Sequence, residues 1–136
     1  ARGLKGLSGN AGLFSTTGDL AKLAQLLLNE GTFNGKRYLS NDVIKKFTKK
    51  NSRRSTRALG FDSKSLEGYS SAGKYFSEKS FGHTGFTGTS IWIDPVNDLF
   101  VVFLTNRVYP NEKSSIIKTR PLLHDAAFQS VLKQEG

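Results

Sequence analysis

The run GTSIWIDPVNDLFVVFLTN, residues 88 to 106, constrains the fold more than any other stretch. Its first half alternates like a strand, with Ile91 and Ile93 on one face and Trp92 on the other. Asp94, Pro95, Asn97 and Asp98 then carry a turn signal. From Leu99 to Asn106 the chain is almost continuously apolar, the pattern of a strand covered on both faces. Two strands joined by so short a turn pair antiparallel, and such a sheet needs helices laid against it.

The flanking sequence supplies those helices. In STTGDLAKLAQLLLNEG, Thr16 and Asp19 have capping-box spacing, with Asp in the place of Glu. Leu20, Leu23, Ala24 and Leu27 follow the spacing of a buried helical face, and Gly31 is a C-terminal stop. Asn34-Gly35 predicts a tight hairpin turn. Ser40 can cap a second helix from Asn41, with Val43, Ile44 and Phe47 facing inward. Residues 51–58 read as loop, ALGFD (58–62) as a short strand, and the Ser-, Gly- and Lys-rich stretch 63–78 as an exposed excursion. SSIIKTRPLLHDAAFQSVLKQ predicts a last helix, with Ile116, Leu123, Ala127 and Val131 near one stripe. Pro121 either kinks that helix or starts its main part. The sum is two helices, a meander of about three strands and one helix. That is an α+β class, an antiparallel sheet with packed helices, in one domain over 1–136.

Net charge is +9 on 136 residues. Much of it sits at Lys45, Lys46, Lys49, Lys50, Arg53, Arg54 and Arg57, which a continued helix would gather on one face. No aromatic residue interleaves the run after Phe47, so it reads as a solvated face leading into a polar loop. No nucleic-acid motif is present, which ranks a nucleic-acid-binding module last among the readings. The absence of cysteine excludes disulfides and thiolate metal sites. No apolar run approaches the roughly 18 residues of a membrane-spanning helix, and the first residues lack a signal-peptide layout. The sequence has no methionine and opens on Ala1, so a processed chain or a piece of a longer one is expected.

The stretch that carries chemistry is FGHTGFTG, residues 81 to 88. His83 is one of only two histidines, and Gly82, Gly85 and Gly88 surround it. No H-x-x-x-H spacing pairs His83 with His124 as zinc ligands. The glycines do not form a phosphate loop, and no G-x-S-x-G nucleophile elbow occurs. Taken alone, the glycines serve a bulge or a turn with His83 at a strand end.

FGHTGFTGTSIWIDPVNDLFVVFLTNRVYP resembles the third-motif region of the serine β-lactamase-like family. That family includes class C β-lactamases, D-alanyl-D-alanine carboxypeptidases and penicillin-binding-protein-like esterases. The upstream block GNAGLFSTTGDLAKLAQLLLNEG and the LTNRVYP segment before a terminal helix resemble the same family in the same order. The resemblance implies a partial β-lactamase/transpeptidase-like fold and hydrolysis of a β-lactam, ester or D-alanyl peptide through a serine acyl-enzyme. His83, Thr84 and Gly85 would be its His-Thr-Gly strand, with Phe86 N–H as one of two oxyanion donors. Gly85 would let the strand approach the substrate, and His83 would place a polar group, cationic when protonated, near the substrate carboxylate and the base. Thr84 would point away or hold the strand. Phe86 departs from the small or hydroxyl residue usual there, which favours an esterase or peptidase over β-lactam hydrolysis. Asn10, Ala11 and Gly12 would line the substrate pocket. No metal and no cofactor are implied.

The same resemblance requires Ser-x-x-Lys and Tyr-x-Asn upstream of these blocks. Ser71 with Lys74, Ser115 with Lys118 and Ser130 with Lys133 have the spacing, but lie in a loop or after the third motif. Tyr109-Pro110-Asn111 also follows it and reads as loop. The expectation is therefore half an active site, whose sheet would leave an edge or face for the missing N-terminal part or a second copy. Its other partner would be a small-molecule or peptide substrate. A non-catalytic ligand-binding module of the same fold is the alternative. Family members commonly act on cell-wall material, so the resemblance implies a periplasmic or extracellular place.

Overall fold

The computed structural model describes residues 3, 5–6, 8, 11–52, 54–111 and 115–132. In chain order the elements are α1 (Thr17–Leu28), β1 (Thr32–Phe33), β2 (Lys36–Arg37), α2 (Asn41–Thr48) and β3 (Asp62–Ser63). They continue with β4 (Phe81–Thr84), β5 (Ser90–Asp94), β6 (Leu99–Phe103) and α3 (Ile116–Leu132). The sheet is antiparallel throughout, in the order β3-β4-β5-β6, so the meander has four strands where about three were expected. Gly82 faces Trp92, His83 faces Ile91, and Trp92 in turn faces Val101.

Helices cover both faces. On one, Ala24 and Leu27 of α1 and Ile44 of α2 pack on Phe81 and Ile93, with Ile91 and Phe100 beside them. On the other, Phe128 of α3 meets Trp92, Ala72 and Phe76, flanked by Leu99 and Val101. The alternation in β5 thus sends Ile91 and Ile93 to α1 and Trp92 to α3, as the sequence pattern requires. β6 is half-buried along its whole length because a core lies on each side of it.

Local signals place the caps and the first turn. Thr16 Oγ1 accepts the Asp19 N–H at 3.2 Å, and Ser40 Oγ accepts the Val43 N–H at 3.3 Å. Asn34 and Gly35 take φ of 49° and 75°, the paired left-handed geometry of a two-residue hairpin turn.

Several expectations fail, each for a packing reason. Residues 58–61 are not a strand: Ala58 N–H bonds Phe61 O at 2.8 Å around Gly60, and pairing begins only at Asp62. The stretch 63–78 is no simple excursion, because Ala72 and Phe76 dive between the sheet and α3. On α2 only Ile44 is buried; Val43 and Phe47 stay 42% and 46% exposed. That helix stops at Thr48 with Lys49 extended, so no helical basic face continues to Arg57. Leu23 on α1 is likewise largely exposed. On α3 the inward stripe is Arg120, His124 and Phe128, while Val131 is exposed. Pro121 sits inside that helix. Polar residues won the buried face because the sheet side offers unpaired carbonyls there, which the next section describes.

Candidate active site

β4 ends in His83 and Thr84, and the chain turns through Gly85 to Thr89 into β5. Gly88 N–H bonds Gly85 O at 3.1 Å, and Gly85 N–H bonds Thr89 O at 2.8 Å. Gly88 has φ 105°, which a side chain rarely adopts. These two glycines serve the turn. Gly82 answers to packing instead: a Cβ there would sit 2.9 Å from Trp92 Cα and 2.7 Å from its ring.

His83 is exposed on the strand end. Arg57 Nη1 donates to its Nε2 at 3.1 Å and also pairs with Asp62 Oδ1 at 2.9 Å. A guanidinium has donors only, so His83 Nε2 accepts. The ring proton then lies on Nδ1, which donates to Thr84 O at 2.8 Å. In this arrangement the ring accepts through Nε2 and donates through Nδ1, and the Arg57 guanidinium lies beside it.

Thr84 faces the α3 side and lines a cavity of about 520 Å³ with Tyr69, Ser71, Trp92 and Arg120. Trp92 is 1% exposed, and its Nε1–H has no protein partner among the described residues. It leaves one indole donor buried beside this cavity. Arg120, 7% exposed, donates to Gly85 O at 2.6 Å, Gly88 O at 3.0 Å and Thr89 O at 3.0 Å. Burial lowers its guanidinium from the usual value. Arg107 reaches the same turn: Nε donates to Phe86 O at 2.5 Å, its backbone N–H to Thr87 O at 2.8 Å, and its guanidinium lies 4.6 Å from the Phe86 ring centre. Phe86 itself is 67% exposed, and its N–H donates to no protein group among the described residues.

His124 lies one helical turn beyond Arg120 and is fully buried. Its Nδ1 donates to Ser71 O at 2.6 Å, so its Nε2 accepts from the Ser90 hydroxyl at 3.2 Å. Burial lowers the imidazole below its ordinary value of 6.5. This histidine ties α3 to β5 and to the 70–73 turn.

The remaining sequence candidates do not gather at this place. Asn10 lies outside the described residues. Ala11, with φ 54°, and Gly12 precede α1, and neither lines the cavity at Thr84. Ser71 does line it, but sits in a turn, and the Lys74 ammonium lies 5.8 Å from the Tyr75 ring centre. Ser115 caps the start of α3 with its carbonyl, accepting Lys118 N–H at 2.8 Å. Neither serine hydroxyl is hydrogen-bonded to its lysine ammonium among the described residues. Ser130 is exposed and bonds Ala127 O, and Lys133 lies outside the described residues. Tyr109 is an exposed loop residue.

Sequence reading missed Arg57, Arg107 and Arg120 as site residues. Arg57 was hidden in a charge run. Arg120 carried a usable signal: with His124 and Phe128 it forms an i, i+4, i+8 series, in which the apolar Phe128 marks the face as buried.

A four-stranded antiparallel sheet between helices, with His-Thr-Gly closing a strand beside a polar cavity, defines a β-lactamase-like hydrolase fold. The β-lactamase family model matches residues 1–126, and the chain belongs to that family. A protein of Escherichia coli O157:H7 named "Putative D-alanyl-D-alanine carboxypeptidase" is 40% identical over 106 residues, covering 75% of this chain and 24% of its own length. Proteins of the same name from Salmonella typhi and Escherichia coli K12 are 40% and 39% identical over the same length. The chain thus spans about a quarter of the curated relatives it matches. A crystal structure of a β-lactamase from Mycobacterium bovis superposes with TM-score 0.68 at 25% identity, covering 85% of this chain and 44% of that one. Among the described residues no helix is long and apolar enough to cross a membrane.

Proposed function

We propose that residues 1–136 are the C-terminal part of a β-lactamase-like serine hydrolase domain and supply the oxyanion wall of its site. His83, Thr84 and Gly85 form the strand that borders the substrate, and the Phe86 N–H is one oxyanion donor. The nucleophile and base come from outside this stretch. The observation that carries the reading is the free Phe86 N–H, directly after Gly85, in a turn whose five carbonyls all accept hydrogen bonds. An amide with no partner, held by a rigid turn, can bind the negative oxygen of a tetrahedral intermediate without first breaking a bond. Two further facts support it. Neither Ser71–Lys74 nor Ser115–Lys118 forms a nucleophile–base pair. β6 ends the sheet order, so one of its edges has no strand partner among the described residues.

The substrate is a β-lactam, an ester or a peptide ending in D-alanine, and the names of the relatives favour the peptide. The Thr84 hydroxyl and the cavity next to it would receive the substrate's far end. Asn10, Ala11 and Gly12 would complete the pocket only once the rest of the domain is in place.

The test is intact-mass spectrometry after exposure to a fluorophosphonate and, separately, to a penicillin. This chain alone should show no adduct. The full-length protein should gain one stoichiometric adduct on a serine outside residues 1–136. An adduct on Ser71, Ser115 or Ser130 would overturn the assignment. A full-length protein without any adduct, yet binding the penicillin, would make it a non-catalytic ligand-binding module.

A further inference from the structure

All five carbonyl oxygens of the turn Gly85–Thr89 accept hydrogen bonds. Gly85 O takes the Gly88 N–H and Arg120 Nη2; Phe86 O takes Arg107 Nε; Thr87 O takes the Arg107 backbone N–H. Gly88 O takes Arg120 Nε, and Thr89 O takes the Gly85 N–H and Arg120 Nη2. Two arginines from different segments therefore account for every carbonyl of the turn. The turn's amides are less fully used: those of Phe86, Thr87 and Thr89 have no protein partner among the described residues, and of these Phe86 N–H is the one that directly follows the His83-Thr84-Gly85 strand.

Arg120 is an expensive way merely to seat a helix. Burying a guanidinium is unfavourable unless its donors are matched, and no ion pair to Arg120 exists among the described residues. Its matched acceptors are the three turn carbonyls. A planar fork holds these acceptors from two separate nitrogens, Nε and Nη2, in fixed directions, whereas an ammonium must aim all three donors from one nitrogen on a flexible stem. An apolar residue would have docked α3 on the sheet, as Phe128 does two turns later. What the arginine adds is fixed turn geometry and a positive charge beside it.

We propose that Arg120 is a positioning residue for acyl transfer, with Arg107 as its second clamp. Together they pull the turn carbonyls toward themselves and leave the Phe86 N–H presented to the substrate oxyanion. This rests on the reading of the chain as the oxyanion wall of a serine hydrolase. Both guanidinium groups also place positive potential near the developing negative charge. The same clamp explains why Gly85 and Gly88 can form a turn at a strand end without fraying: its acceptors are held from the helix side and from the 104–111 loop.

The test uses the full-length protein, an activated ester as substrate, and the variants R120A, R120K and R107A. Loss of the clamp lets the donor wander, so kcat should fall about 10- to 100-fold in R120A and R107A, less than or equal to the loss of a whole oxyanion donor. KM should stay within about twofold, because the interaction strengthens only in the transition state. R120K should recover little of the lost kcat, since charge without the fork does not restore the three bonds. Hydrogen exchange gives a readout independent of activity. The Gly85 and Gly88 amides, which donate within the turn, should exchange faster in R120A and R107A, while the β5–β6 amides keep their rates.

Wild-type kcat in R120A and R107A would overturn the proposal, and so would unchanged exchange at Gly85 and Gly88. A loss of melting temperature with kcat intact would reduce Arg120 to a helix-docking residue. Should R120A fail to fold, R107A, whose side chain lies at the surface loop, carries the same two measurements. A wild-type protein that transfers no acyl group would remove the hydrolase reading, and the exchange experiment would still decide whether the clamp orders the turn.

Discussion

Replacing Asp94 by Asn tests how the frame behind the site is held. Asp94 is fully buried at the end of β5, and among the described residues no cation pairs with it. Its charge is carried by hydrogen bonds alone. Oδ1 accepts from Ser77 Oγ at 2.5 Å, Val96 N–H at 3.0 Å and Asn97 N–H at 3.4 Å. Oδ2 accepts from Ser77 N–H at 2.6 Å and Asn97 Nδ2 at 2.7 Å. Burial by itself raises the carboxyl, but the Ser77, Asn97 and Val96 donors outweigh it and leave the group below its ordinary 3.8. In D94N the amide oxygen can keep one set of donors. The new NH₂ then faces the Ser77 N–H and the Asn97 amide, donor against donor. Two charge-assisted bonds at about 1.5–3 kcal/mol each are lost, so the expected destabilisation is about 3–6 kcal/mol near pH 7. That is a large share of the 5–15 kcal/mol typical of a domain.

The assay is urea unfolding of the wild-type protein and D94N across pH. Because the folded carboxyl titrates below the unfolded one, its contribution is complete above about 3.8 and is lost as pH falls through the folded value. Asn does not titrate, so the gap between the two proteins should shrink below that pH. A gap under about 1 kcal/mol near pH 7 would refute the donor count, since it is less than one such bond. A gap unchanged in acid would refute the assignment of the effect to charge.

Three other outcomes follow from the same packing. G82A puts a methyl group against the Trp92 backbone and ring, and should cost about 2–3 kcal/mol and disturb the His83 strand; an unchanged melting temperature would contradict this. His124 is buried as the neutral ring, so its folded value lies below 6.5: stability should be complete above 6.5 and decline as pH falls toward the folded value, a slope absent in H124Q. A flat wild-type profile between about pH 5 and 7 would show that the ring is not held neutral. F86S removes an exposed ring stacked under Arg107 and should cost only about 0.5–1 kcal/mol. If ring bulk excludes β-lactams, this variant should acylate faster with penicillin relative to an ester, and an unchanged ratio would dismiss that role.

What was legible in the sequence was local. The caps at Thr16 and Ser40 and the Asn34-Gly35 turn depend on neighbouring backbone alone, so residue type was enough to predict them. The split of Ile91 and Ile93 from Trp92 followed from the two-residue period of a strand. The α+β class could be read from the order of these local patterns along the chain, and the observed helices and antiparallel sheet match it.

Tertiary structure alone decided which polar residues matter. The buried stripe of α3 runs through Arg120 and His124 because the turn carbonyls and Ser71 O lie opposite it, and no pattern on the helix announces those acceptors. Arg57 meets His83 only when the 57–62 loop folds beside β4. Ala72 and Phe76 become core only when α3 closes over a stretch whose composition reads as exposed. A sequence encodes the donors it places on a helix or loop, but the acceptors that make them functional come from segments tens of residues away.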